Sequence, residues 1–226
     1  QVHSELRAYS DAPALFSPHP LFENFGERVE RSEACVRLGL DPANRYVLFF
    51  GLIRDYKGLD LLLDAWAQLR RAGRTEGRRL IVAGGVYTAR EPYLNRIADN
   101  GLQDEVLLHD RFIPDDDVKY YFSAADFVVQ PYKTATQSGV TQIAYQFCVP
   151  MVVTKVGGLA EIVPDGRVGY VCEPTPEGVA GAIERMYEGD TLQRFRENCV
   201  EERRRFSWEE MCSRITELYG LVASGK

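Results

Sequence analysis

Residues 127–161 read FVVQPYKTATQSGVTQIAYQFCVPMVVTKVGGLAE, and this stretch decides the fold class. Two short apolar runs, 127–129 and 151–153, flank an amphipathic segment that begins with small polar residues. Strands that are apolar on both faces and separated by a helix belong to parallel sheets that are covered on both sides. The stretch therefore predicts a buried strand, a helix and a second buried strand, followed by a turn at Gly157 and Gly158.

The start of the predicted helix is a candidate ligand site. A helix that begins just past the carboxyl end of a parallel strand points its free N–H groups into the crevice where ligands usually bind. Backbone amides and hydroxyls are present there, and no bulky side chain blocks an anion. We therefore interpret this segment as a phosphate-binding site. It consists of Gln137, Ser138, Gly139, Val140 and Thr141, with Gln142 next to it. Taken alone, the segment is also typical of an ordinary helix that Ser138 caps.

The loop after an earlier apolar run, 46–50, is a second candidate. It opens with Gly51 and presents Arg54 and Lys57 just before a predicted helix. A lysine can bind a pyrophosphate as a point charge and an arginine as a two-pronged donor. Alone, the loop is also typical of a charged surface turn. Because both candidate loops follow strands of the same predicted sheet, we interpret them as two halves of one phosphate site.

Strand-length apolar runs alternate with helical periodicity along most of the chain. Strands are expected at residues 46–50, 80–83, 106–108, 127–129, 151–153 and 170–172. Right-handed crossovers between them make a Rossmann-like, doubly wound α/β domain with about six parallel strands and helices on both faces. After Pro174 the pattern becomes helical, and a final helix is expected from Ser207, where Glu210 completes a capping box.

Three parts of the chain are expected from this pattern. Residues 1–28 are rich in proline and are interpreted as a connector or remnant of a missing amino-terminal domain. Residues 29–205 form the Rossmann-like domain, and residues 206–226 form a final helix that crosses out of it. The opening Gln1-Val2-His3-Ser4 suggests a piece of a longer protein.

Composition and charge limit the classes of partner. The net charge of −6 and the lack of a basic face argue against a nucleic-acid partner. No stretch approaches the ~18 apolar residues that a membrane span needs. The five cysteines are scattered and mostly lie among apolar residues, which indicates reduced thiols of a cytoplasmic protein rather than disulfides or a metal site.

Three further positions are weaker candidates. Gly84 follows a middle strand and is expected to line the crevice. Glu161 follows the turn at Gly157 and Gly158, where a contact to substrate and a structural role at the turn are both open. His109 ends a strand, and a lone histidine there is more typical of a structural hydrogen bond than of a catalytic base.

The ordered blocks of the chain resemble a known family. They look like the carboxy-terminal half of a GT-B glycosyltransferase of the group 1 (family 4) type, and they lie at residues 50–65, 80–84, 125–131 and 149–169. The resemblance implies transfer of a sugar from a nucleotide-activated donor, usually with retention and without a metal or other cofactor. It also implies that this half binds the donor nucleotide, while a separate amino-terminal domain holds the acceptor.

The resemblance carries over to the site residue by residue. Lys57 matches the family lysine that contacts the donor phosphates, and Arg54 lies two residues beyond the family arginine, whose place is Leu52 here. The family's pair of glutamates, eight residues apart, corresponds to Ala135 and Ile143. The resemblance therefore implies that phosphate binding persists while recognition of the ribose and the sugar differs, and it leaves the nucleotide open.

Two functions remain as hypotheses. The first is the donor-binding half of a retaining glycosyltransferase of polysaccharide or glycolipid biosynthesis, inactive in isolation, cytoplasmic, and with peripheral association at the inner membrane face. The alternative is a non-catalytic GT-B-like domain whose degenerate donor site serves protein assembly. In the family the final helix crosses onto the amino-terminal domain, so Trp208 is expected to be uncovered in this chain alone. No catalytic residue is assigned.

Overall fold

A six-stranded parallel sheet forms the centre of the molecule. The computed structural model describes residues 6–87 and 89–224, so the opening Gln1-Val2-His3-Ser4 lies outside the described residues. The strands are β1 (Arg45–Phe50), β2 (Arg78–Ala83), β3 (Val106–His109), β4 (Phe127–Gln130), β5 (Met151–Thr154) and β6 (Gly169–Cys172). They lie in the order β3-β2-β1-β4-β5-β6, and every neighbouring pair is parallel. All six predicted strands are confirmed.

Helices connect the strands and continue beyond the last one. They are α1 (Arg31–Leu38), α2 (Leu59–Arg71), α3 (Glu91–Asp99), α4 (Asp115–Ala124), α5 (Gly139–Gln146), α6 (Leu159–Ile162), α7 (Pro176–Met186), α8 (Thr191–Glu202) and α9 (Trp208–Ala223). Short 3₁₀ turns occur at Glu23–Phe25, Asp55–Lys57 and Arg203–Phe206. The expected capping at the start of α9 is present, because Oγ of Ser207 accepts from the backbone N–H of Glu210 at 3.1 Å.

The two faces of the sheet bury two separate apolar cores. Because side chains alternate along a strand, β1 sends Leu48 and Phe50 to one face and Val47 and Phe49 to the other. The first core packs against α1, α4, α5 and α6. The second packs against α2, α3 and α7, where Trp66 of α2 is fully buried. Helices therefore cover both faces, and the predicted doubly wound fold is confirmed.

The strand order creates a crevice at one edge of the sheet. β1 pairs with β4, with Val47 opposite Phe127 and Leu48 opposite Val128, although two strands and three helices separate them in sequence. The chain leaves β1 toward β2 on one side and leaves β4 toward β5 on the other. In open parallel sheets, ligands bind outside the carboxyl ends of the strands at such a point of reversal. The loops that follow β1 and β4 flank it.

The segments at the two ends differ in how they pack. Before α1, Leu21 is buried and its backbone N–H donates to the carbonyl of Phe206 at 3.0 Å, while the N–H of Val29 donates to Oγ of Ser123 at 3.1 Å. By contrast, no residue of α9 is buried, and Trp208 is 50% exposed, as expected from the sequence. The division of the chain at residues 28 and 205 stays a prediction. In the described ranges, no helix combines the length and the apolar character that crossing a bilayer requires.

Candidate functional site

The loop after β1 is shaped to turn Lys57 back toward the end of its strand. Ile53 extends the sheet edge by pairing with Val86, and its N–H donates to the carbonyl of Gly85 at 3.0 Å. The chain then forms a 3₁₀ turn in which the N–H of Lys57 donates to the carbonyl of Arg54 at 2.9 Å. Gly58 takes a left-handed conformation, with φ of 67°, and begins α2. This geometry places the lysine ahead of a helix rather than on its surface.

Lys57 is a buried cation. Only 8% of the residue is exposed, and within the described part of the chain no carboxylate lies within 4.0 Å of its Nζ. Burial, and then the positive charge of Arg54, lowers the pKa of Lys57 from 10.5 to about 8. Two cations close enough to disfavour each other's charge are unfavourable unless an anion joins them. The pair therefore points to an anion-binding site.

The start of α5 meets Lys57 across Gly51. A Cβ built on Gly51 would lie 3.0 Å from Nζ of Lys57 and 3.5 Å from Cγ2 of Val140. No side chain caps α5, and in the described residues the N–H groups of Gly139 and Val140 have no hydrogen-bond acceptor. The two predicted half-sites are thus brought together, with free backbone donors on one side and Lys57 on the other. An anion placed there would receive bonds from both.

Ser138 has a different role from the simple cap that its position allows. Its backbone is extended and precedes the helix, but its Oγ shares a hydrogen bond with the hydroxyl of Tyr132 at 3.1 Å. Tyr132 in turn packs edge-on against Tyr56 and lies 5.7 Å from Nζ of Lys57. Because the serine is held this way, the first N–H groups of α5 stay free of a side-chain acceptor.

A set of contacts locks the loop after β4 onto the loop after β1. The N–H of Lys133 donates to the carbonyl of Tyr56 at 2.7 Å, and its Nζ pairs with Asp55 at 2.7 Å and with Asp60 at 2.9 Å. Gly58 has no room for a side chain, because a Cβ there would overlap the carbonyl oxygen of Pro131. Lys133 is not among the residues that the sequence predicted for the site. One sequence feature could have indicated it. Lys133 lies three residues beyond the end of β4, at the same sheet edge as the other site residues.

An open hollow of about 700 Å³ lies beside the start of α5. Its polar lining includes Thr134, Thr136 and Gln137, and Ala135 lies between the two threonines. Ala135 is the place where the resemblance expects the first family glutamate, and Ile143, the place of the second, is buried in the core. Apart from Lys133, the polar groups that line the hollow are thus neutral hydroxyls and an amide.

Of the residues predicted to line the site, Gln137 lines this hollow, whereas Thr141, Gln142 and Gly84 are placed elsewhere. Thr141 is fully buried and its hydroxyl donates to Oε1 of Gln130 at 2.9 Å, so it is not free for a ligand. Gln142 is also buried, and its Oε1 has no partner among the described residues. Gly84 packs closely against the backbone of Gly51, where a Cβ on Gly84 would overlap the Gly51 carbonyl oxygen. Thr141 and Gln142 differ from the expectation because the first turn of α5 points its third and fourth side chains into the interior.

Glu161 and His109 lie in other surroundings. Glu161 lines a separate hollow of about 230 Å³ together with Phe16 and Ile162. The glycine turn before it has a packing role, since a Cβ on Gly157 would overlap the carbonyl of Ala135. His109 shares a hydrogen bond of 2.8 Å with the hydroxyl of Tyr121, and burial, followed by the charge of Arg111, lowers its pKa. The structural interpretation of His109 thus agrees with its geometry.

Comparison with known proteins identifies the family. Residues 44–189 match the family model described as group 1 glycosyl transferases. The chain belongs to this family. A D-inositol 3-phosphate glycosyltransferase of Catenulispora acidiphila is 33% identical over 202 residues, which are 84% of this chain and 46% of that protein. The chain spans about half the length of the curated relatives that it matches.

Solved structures share the fold at lower identity. Sucrose-phosphate synthase from Thermosynechococcus elongatus has a TM-score of 0.81 and 22% identity, over all of this chain and 57% of that one. The carboxy-terminal domain of the group 1 protein LpcC from Francisella tularensis has a TM-score of 0.67 and 19% identity, over 80% of this chain and 94% of that one. Anabaena HepE in complex with UDP-glucose has a TM-score of 0.73 and 21% identity, over 88% and 56%. The fold is that of the carboxy-terminal half of GT-B enzymes.

Within residues 6–87 and 89–224, no group of three or more His, Cys, Asp or Glu side chains is arranged to hold a metal ion. The expectation that no metal or other cofactor takes part stays a prediction.

Proposed function

We propose that this chain is the donor-binding half of a glycosyltransferase and that its ligand is a nucleoside-diphosphate sugar. The observation that carries the proposal is the buried Lys57, which no described carboxylate pairs with, facing the N–H groups of Gly139 and Val140, for which the described residues offer no acceptor. The HepE structure was solved with UDP-glucose, which supports a nucleotide sugar as the ligand class.

The site suits the chemistry at the leaving group. When the bond between the anomeric carbon and the diphosphate breaks, negative charge grows on the diphosphate oxygens. Lys57 and the start of α5 are donors held in place before the reaction, Arg54 adds positive charge beside them, and donors held in place stabilise such charge most effectively. Because these groups supply positive charge themselves, we propose a reaction without a bound metal or other cofactor.

The remaining parts of the proposal concern the whole enzyme. We propose that an amino-terminal GT-B domain supplies the acceptor site, so that this half alone binds the donor without transferring it. We propose retention at the anomeric carbon, a role in polysaccharide or glycolipid assembly, and a cytoplasmic enzyme that associates peripherally with the inner membrane face. The names of the relatives, which are glycosyltransferases, support the reaction class.

Calorimetric titration with UDP, GDP and ADP tests the ligand class. We expect at least one of them to bind the unmodified chain, and Lys57→Met to weaken that binding at least about tenfold, since it removes a charged partner from a desolvated site. Lys155→Met is the matched control, because Lys155 is an exposed lysine that follows β5 at the same sheet edge. The proposal is contradicted if none of the three binds at millimolar concentration, or if Lys57→Met has no effect.

The uncovered face of α9 favours the alternative, a non-catalytic assembly domain. Trp208, Ile215 and Tyr219 are 50%, 57% and 75% exposed on this helix. Light scattering after size-exclusion chromatography separates the two functions. A chain that self-associates through this helix and binds no nucleotide supports the assembly domain, and a monomer that binds a nucleotide supports the donor domain.

A further inference from the structure

The loop that carries the two site cations also carries two carboxylates. Residues 51–60 contain Arg54 and Lys57, and they also contain Asp55 and Asp60. Their formal charges cancel, so this loop alone offers no excess of positive charge to a diphosphate. Asp55 is the neighbour of Arg54 and lies two residues before Lys57, which makes it the natural partner for either cation.

Lys133 engages both carboxylates. Its Nζ lies 2.7 Å from Oδ1 of Asp55 and 2.9 Å from Oδ2 of Asp60. The lysine comes from the loop after β4, and its backbone N–H, bonded to the carbonyl of Tyr56 at 2.7 Å, fixes where its side chain starts. Within the described residues, neither carboxylate lies within 4.0 Å of Lys57 or Arg54.

We propose that Lys133 is a positioning residue that holds Asp55 and Asp60 away from Lys57. The diphosphate site thereby stays free of competing carboxylates and positively charged. This deepens the proposed function, on which it rests for the identity of the ligand. With Lys133 included, three cations face two carboxylates at this edge of the sheet. Without it, the charges balance and no other described side chain pairs with Asp55.

The surroundings of Lys57 explain why a freed carboxylate would interfere. The groups near its Nζ are the guanidinium of Arg54, the ring of Tyr132 and the backbone at Gly51. A buried cation gains more from a carboxylate than an exposed one does, because little water competes for it. The side chain of Asp55 is 83% exposed and is therefore free to turn once its bond to Lys133 is lost. A diphosphate would then have to displace it.

Substitution at Lys133 tests the effect on binding. We expect Lys133→Met to raise the calorimetric Kd for UDP, or for whichever of GDP and ADP binds, about tenfold. Adding Asp55→Asn and Asp60→Asn to Lys133→Met should restore most of the affinity, because neutral amides do not compete for Lys57. Lys133→Arg should stay within about threefold of the unmodified chain, since the charge is kept. Lys155→Met controls for the general loss of one positive charge.

A second readout needs no ligand. The pKa of Lys57, followed by NMR of its side-chain ammonium in the free protein, should rise in Lys133→Met and return when both aspartates become asparagines. An unchanged Lys57 pKa in Lys133→Met, or a loss of UDP affinity that the two asparagines do not restore, overturns the inference and leaves Lys133 a merely structural contact. If the unmodified chain binds no nucleoside diphosphate while the Lys57 pKa responds as described, the proposed ligand is wrong and the role of Lys133 stands.

Discussion

At the scale of single residues, the buried ammonium of Lys57 is the main observation in favour of an anion site. Folding moves its ammonium out of water to a place where no described carboxylate pairs with it, and Arg54 adds repulsion. Native chains rarely keep such an arrangement for stability, because an apolar side chain of similar size would fit the same space without the desolvation cost. The arrangement is understandable if an anion completes it.

Lys57→Met should therefore stabilise the ligand-free protein at pH 7. The pKa of Lys57 falls from 10.5 in the unfolded chain to about 8 in the fold, so its charge opposes folding below pH 8. Each pKa unit corresponds to about 1.4 kcal/mol, which gives a gain of about 1–3 kcal/mol for the variant once relaxation is allowed for.

The pH dependence of that gain follows from the same shift. As pH rises from 8 toward 10.5, the folded protein releases the Lys57 proton before the unfolded chain does, so the unmodified protein recovers stability and the difference shrinks. Urea unfolding of both proteins at pH 7 and at pH 10 measures it. A variant that is less stable than the unmodified chain at pH 7 would show that Lys57 stabilises the fold instead.

The sequence was sufficient to place some of the candidate residues at the crevice and not others. Lys57, Gly51 and Gly139 could be found because their place, just past a strand, does not depend on side-chain partners. The roles of Ser138 and Thr141 could not, because they depend on Tyr132 and Gln130, whose hydroxyl and amide groups reach them only in the fold. Lys133 was missed for the same reason, since its partner Asp55 lies 78 residues away.

At the scale of elements, the loops after β1 and β4 behave as one unit. Lys133 joins them by an ion pair and a backbone bond, and Tyr56 packs on Tyr132. Gly58 allows the closest approach, where its Cα faces the carbonyl of Pro131. The distance between Lys57 and the start of α5 therefore depends on this contact between two loops.

Gly58→Ala should disturb that contact strongly. A Cβ at Gly58 would overlap the Pro131 carbonyl oxygen, and the left-handed φ of 67° adds backbone strain. We expect a loss of about 2–4 kcal/mol in the free energy of unfolding, together with weaker nucleotide binding.

Gly39→Ala is the matched control. Gly39 has nearly the same φ, 68°, but a Cβ there would meet nothing within 4 Å, so the loss should stay near about 1 kcal/mol and binding should not change. Urea unfolding and calorimetry measure both variants. Equal losses for the two would mean that the contact with Pro131 does not hold the loops together.

The strands were predicted with better accuracy than the loops, for a physical reason. An apolar run such as 151–153 must be buried, and burial between helices leaves little choice of structure. The loop 131–138 contains no such constraint, because its shape depends on contacts with other segments. Gly58 and Gly157 lie outside the loop, and Lys133 of the loop pairs with Asp55. The shape of the hollow next to Gln137 likewise depends on residues from several segments.

At the scale of the whole molecule, two well-packed cores contrast with one open helix. The sheet buries residues on both faces, while α9 buries none and exposes Trp208, Ile215 and Tyr219. The chain also corresponds to about half of its curated relatives. The structure and the comparisons therefore show the fold and the family, while the donor and acceptor roles belong to the proposal.

The central claim is that Lys57 and the start of α5 form a single diphosphate site at the reversal between β1 and β4. An NMR titration of the labelled chain with UDP, following the backbone amides of Gly139 and Val140 and the ammonium of Lys57, tests it most directly. We expect these signals to show the largest shifts and to saturate together with one Kd. Shifts confined to one of the two loops, or a response centred on another surface such as the arginines at 74 and 78, would contradict it.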